Sequence, residues 1–287
     1  MTLEVLQAGA RVRLASGDGV VCATVGDQVS VRNFSRVADA VADGTGARLF
    51  VKQFVTADGR PLPAVLAGEI AGAELAARFV PATRPHTPVG TDEAALVVGY
   101  AWKHVVPMDE LLRTRPEEFA QVWPALLDYL AAGLREAADV DPRSVPDLKR
   151  KRSDHPPTAL SFKGFEVRNI GYDPGEGTFS FFDAGTPFLG SLDEAVARVI
   201  VSVWLLNWGR PLGRFAGGPP TDLAASLGAD LPFTATSDSL LREIGVQAHG
   251  RLDDVQASTR LAKLGKSLGL NTLGRRYLRT LEKWATP

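Results

Sequence analysis

The chain has 287 residues, 45% of them apolar, and its 32 Lys and Arg against 33 Asp and Glu leave a net charge of -1. That apolar content over this length builds a substantial core and excludes disorder of the whole chain, while the balanced charge excludes a global attraction to nucleic acid or to an anionic membrane. The single cysteine, Cys22, excludes an internal disulfide, a zinc knuckle and a CxxC redox motif.

The opening residues MTLEVLQAGARVRL carry no long apolar run and do not read as a signal peptide. The most apolar stretch, residues 199–208, is roughly half of what a bilayer-spanning helix needs, so the expected location is cytoplasmic. Residues 10–55 hold short β-branched runs separated by Gly and Asp turns such as Ser16-Gly17-Asp18-Gly19 and Asp43-Gly44-Thr45-Gly46, which predicts strands joined by hairpins. Pro61 and Pro63 break that pattern, a helix is expected over 67–79, and a further strand over 94–100. From Met108 onward Phe119, Val122, Trp123, Leu126, Leu127, Leu130 and Leu134 recur at steps of three and four, so the second half is expected to be mainly helical. A basic, Pro-rich stretch over 141–157 interrupts it. Two short strands are expected around 169–172 and 178–183, a Gly/Pro loop over 209–220, and a last helical portion ending near Trp284. The order predicts an α+β fold, with a β-rich region of residues 1–100 followed by a helical region of residues 101–287.

Lys52 sits in the apolar run Phe50-Val51-Lys52-Gln53-Phe54. Either it is a surface lysine on an edge strand, or its ammonium meets an anion, because burial without one is costly. The following helix offers Glu69 and Glu74 as carboxylate partners, with Glu69 the better placed. Further on, Asn169 and Asp183 are separated by a Gly-containing hairpin. An amide oxygen and a carboxylate leaving neighbouring strand ends can converge on a hard cation such as magnesium. The alternative is an Asn turn together with an Asp that caps the helix starting near Ser191.

In order and spacing, Lys52, Glu69, Asn169 and the triplet Asp183-Ala184-Gly185 resemble the aminoglycoside and choline kinase-like phosphotransferases, over about residues 25–210. The resemblance implies a two-lobed, protein-kinase-like fold that binds ATP and Mg2+. It implies Lys52 on the phosphates, Glu69 orienting it, Asn169 and Asp183 on metal, and the segment around Tyr100 as a hinge whose backbone meets adenine. It also implies transfer of the γ-phosphoryl group to a hydroxyl of a small natural product or a modified peptide. Two departures stand out. The loop Arg32-Asn33-Phe34-Ser35-Arg36-Val37 lacks the glycines of a phosphate-binding loop, and Gly164 stands five residues before Asn169, where the family has its catalytic aspartate. Three readings follow: Glu166 reaches in as a substitute base; no base is needed, with an anionic acceptor or Lys163 sufficing; or the chain is a pseudokinase that binds a partner enzyme or peptide. Adenylyl transfer is a further possibility.

Lys149-Arg150-Lys151-Arg152 and the basic tail over 251–287 are candidate docking sites for a protein partner, with a solvated loop and a docked helix as the plain alternatives. The four histidines are too widely spaced to suggest a metal site, and Trp204 and Trp208 are expected in the core.

Overall fold

The computed structural model describes residues 4–32, 34–145, 147–149, 158–206, 240 and 242–247. Residues 150–152 of the basic run, the 209–220 loop, Trp208 and the 251–287 tail lie outside the described residues, as does the side chain of Trp204.

Alternation decides the first half. In β1 (Arg11–Ser16) Val12 and Leu14 are buried between exposed arginines, and β2 (Gly19–Val31), β3 (Arg36–Ala42) and β4 (Arg48–Gln53) turn Ala23, Val25, Ala38, Ala40, Leu49 and Val51 inward in the same way. After the helix α1 (Pro63–Phe79), β5 (Pro88–Asp92) and β6 (Val97–Ala101) complete an antiparallel barrel in the order β1-β2-β3-β4-β6-β5. The pairing of Ala15 with Thr91 closes it. Two runs expected as separate strands, 19–25 and 28–34, fall on one 13-residue strand, β2, which ends at Val31 and whose register slips between Val25 and Val29. A bulge of this kind bends a strand so that it can follow a barrel wall.

Pro63 opens α1, where a missing N–H costs nothing. The short β7 (Val106–Pro107) then leads into α2 (Met108–Thr114) and α3 (Pro116–Ala138). The predicted periodicity holds in α3: Phe119, Trp123, Leu126, Leu130 and Leu134 are buried. They pack with Phe162, Ile170, Phe181 and Leu189, from β8 (Ala159–Phe162), β9 (Ile170–Asp173), β10 (Thr178–Phe181) and β11 (Pro187–Gly190), and with Val196 and Ile200 of α4 (Leu192–Leu206). Ser191 accepts a hydrogen bond from the Glu194 N–H at 3.1 Å, and so caps α4. The second half thus combines α2, α3 and α4 with two small sheets, β10-β9-β7 and β11-β8. The sequence pattern predicts no strand at β8 or β11, which pair with each other at four residues each. Among the described residues no helix is long and apolar enough to cross a membrane.

Candidate active site

Lys52 lies in β4, between β3 and β6, opposite Val37 on one side and Val98 on the other. It is therefore on an interior strand of the barrel wall rather than an edge, and its side chain is only 15% exposed. A buried ammonium needs carboxylates, and two are present. Glu69 of α1 lies 3.0 Å from Lys52 Nζ and Asp183, just past β10, lies 2.8 Å away. Glu74, the alternative partner, is exposed.

Close packing of α1 on the chain after β10 brings the two acids together. A Cβ at Gly72 would lie 2.0 Å from the Ala184 carbonyl oxygen, so only glycine allows this approach. Asp183 itself has φ +63, a left-handed conformation that aspartate tolerates better than most residues and that turns its carboxylate away from the β10 ladder. Tyr100 of β6 donates to Glu69 Oε1 at 2.8 Å and fixes the second acid from behind.

Burial opposes the charge on Lys52, but Glu69 and Asp183 together outweigh it and hold its pKa above the usual lysine value. The acids diverge. Burial pushes Glu69 up despite Lys52, and the Asp183 charge adds to the rise. For Asp183, burial is overcome by the charge and hydrogen bond of Lys52, with help from Arg168, so its pKa falls. One ammonium between two carboxylates leaves an uncompensated negative charge, and the half-exposed Asp183 presents it to the cleft.

Asn169 stands at the entry to β9, and its carbonyl accepts from the Phe182 N–H at 2.8 Å, which ties the two strand ends together. Its amide nitrogen donates to the Gly164 carbonyl at 2.8 Å, so the amide oxygen is the atom left to act as a ligand. Asn169 and Asp183 both line one cleft of about 660 Å3, together with Lys52, Glu69, and Arg32, Phe34 and Ser35 from the turn between β2 and β3. Two oxygen donors beside an uncompensated negative charge suit a hard divalent cation.

Two expected residues fall elsewhere. Glu166 is fully buried and does not line the cleft. It is ion-paired to Arg168 Nε at 2.8 Å and to Arg198 at 3.9 Å, so the substitute base expected there is turned into the protein. The hinge assignment also shifts. Residues of β6 pair with β4 on one side and β5 on the other, so their peptide groups are committed to the sheet. Tyr100 therefore contributes its hydroxyl to Glu69 and does not line the cleft. Lys163 is exposed and does line it.

Position 164 is closed to any side chain. A Cβ there would lie 1.9 Å from the Asp183 carbonyl oxygen and 3.4 Å from Asn169 Nδ2. Arg198 was missed from sequence. The available signal is Glu194 and Arg198 four residues apart in a largely apolar helix, a spacing that pairs them, here at 3.3 Å.

No protein-family model and no curated protein matches the sequence. Solved structures do resemble it. A macrolide 2'-phosphotransferase type I superposes with a TM-score of 0.56 at 11% identity, over 86% of this chain and 92% of that one. The spectinomycin phosphotransferase APH(9)-Ia, solved with ADP and spectinomycin, gives 0.53 at 11% identity, over 89% and 93%. An ethanolamine kinase from Plasmodium vivax gives 0.52 at 8% identity, over 88% and 83%. The chain has the fold of the kinase-like small-molecule phosphotransferases.

Proposed function

We propose that this chain is a divergent kinase-like phosphotransferase, two-lobed, with residues 1–100 as the nucleotide-binding lobe and 101–287 as the second lobe. The cleft takes ATP with Mg2+. Lys52 contacts the phosphates, Glu69 orients it, and Asp183 with the amide oxygen of Asn169 holds the cation, whose chemistry is to neutralise phosphate charge. The acceptor is a small molecule or a peptide. The observation that carries this reading is the Lys52 ammonium lying within 3.0 Å of Glu69 and 2.8 Å of Asp183, residues far apart in sequence, at the mouth of one cleft. The ADP bound to the spectinomycin phosphotransferase of similar fold supports it.

A second reading, a pseudokinase that binds nucleotide and serves a partner enzyme or peptide, is favoured by Gly164. Hydroxyl acceptors need a base, and the backbone there leaves no room for one. Thermal denaturation tests the nucleotide site that both readings share. ATP with magnesium, at roughly a hundred times its dissociation constant, should stabilise the chain by about 2.7 kcal/mol, a shift of several degrees. The shift should need magnesium and vanish in Asp183→Ala. Equal stabilisation of the variant sinks the assignment.

A further inference from the structure

Besides Lys52 and Arg32, the cleft is lined by three further cations, Lys163, Arg168 and Arg198, against one further acid, Asp109; Lys163 and Arg168 lie one residue before and four residues after Gly164 in the chain. The guanidiniums are held from behind. One oxygen of the buried Glu166 carboxylate meets Arg168 Nε at 2.8 Å, and the other faces Arg198 at 3.9 Å. A second buried acid, Glu194, takes another Arg198 nitrogen at 3.3 Å. Neither Glu166 nor Glu194 lines the cleft, so both work as supports that fix the arginines. Arg168 turns its Nε toward Glu166 while its side chain stays 56% exposed, so its guanidinium is accessible to a ligand.

Resting on the nucleotide reading above, we infer that Lys163, Arg168 and Arg198 form an oxyanion subsite, and that the acceptor is a carboxylate or a phosphate group rather than a hydroxyl. This accounts for Gly164 and Glu166 together. A hydroxyl must lose a proton as it attacks, which is the task of a catalytic carboxylate. An acceptor that is already ionised has no proton to lose, and a carboxylate at position 164 would repel it. In the transfer, a lone pair of the acceptor oxygen forms the bond to the γ-phosphorus of the nucleoside triphosphate. The bond from that phosphorus to the β,γ-bridging oxygen breaks, and its electron pair leaves on the nucleoside diphosphate. The product is an acyl phosphate from a carboxylate acceptor or a phosphoanhydride from a phosphate acceptor, and no proton moves.

The test is calorimetric titration of inorganic phosphate, and separately of acetate, into the full chain, both nucleotide-free and saturated with a non-hydrolysable ATP analogue and magnesium. At least one anion binds saturably, the phosphate and acetate arms showing which group is preferred. Arg168→Gln and Lys163→Gln, both at exposed side chains, each weaken it about tenfold. If the chain binds the analogue but neither anion, or if both variants bind the anions as the native chain does, the subsite is refuted. If the analogue does not bind, yet anion binding to the nucleotide-free chain falls in the variants, the subsite stands and the nucleotide reading fails.

Discussion

The carbonyl oxygen of Asp183 occupies the space that a side chain at Gly164 would need, 1.9 Å from where its Cβ would lie. The absence of a side chain at this position is therefore built into the backbone: the loop before β9 lies against the segment that carries the candidate metal ligand. Gly164→Asp should not create phosphoryl transfer to hydroxyl acceptors. It should force these segments apart and lower stability by at least about 3 kcal/mol, measured by urea denaturation. A stable variant that gains hydroxyl-directed transfer contradicts this.

Tyr100 is linked to the cleft through Glu69, to which it donates at 2.8 Å. Tyr100→Phe removes one buried hydrogen bond to a charged group and should cost about 1.5–3 kcal/mol in thermal unfolding. Nucleotide affinity should fall modestly, because Lys52 keeps both of its carboxylates.

Lys52→Met removes the cation bonded to both Glu69 and Asp183. The variant should lose about 3 kcal/mol at neutral pH. Without the ammonium the facing acids bind protons more readily when folded than when unfolded, so the deficit should shrink as the pH falls, and urea midpoints between pH 7 and pH 5 would show this.

His86 gives a signal of the opposite sign. It is buried, stacked on Tyr100 at 4.8 Å and edge-on to Phe182 at 5.0 Å, with Nε2 2.8 Å from the Ala101 carbonyl oxygen. Burial, with a smaller push from Lys103, lowers its pKa from 6.5 to about 4. Above pH 6.5 the folded and unfolded chains both carry it neutral, and its contribution to stability is complete. As the pH falls toward 4, only the unfolded chain takes up the proton, and up to about 3 kcal/mol is lost. His86→Gln should flatten this part of the stability profile, and an unchanged slope would show that His86 is not its source.

Much of this site was visible as residue types in order. A lysine inside an apolar strand, an acid in the next helix, and an Asn and Asp bracketing a hairpin each have a local cause, and all four line the cleft. The barrel was not visible, because its closure depends on a single pairing, Ala15 with Thr91, between short strands far apart in the chain. Glu166 was misjudged for a related reason. Its neighbours in sequence place it beside the cleft, but Arg198, thirty-two residues later on α4, draws it inward, and no local pattern records that contact. Tyr100 likewise read as backbone in a hinge, because a side-chain bond to Glu69 across two elements leaves no periodic trace.

The most direct test of the central claim, that Lys52, Asn169 and Asp183 form a magnesium-nucleotide site, is calorimetric binding of the non-hydrolysable ATP analogue with and without magnesium. Magnesium should tighten binding of the native chain about tenfold or more, and that gain should disappear in Asp183→Asn, which keeps the shape and removes the charge. Binding that is indifferent to magnesium in the native chain, or a variant that keeps the full gain, would contradict the account.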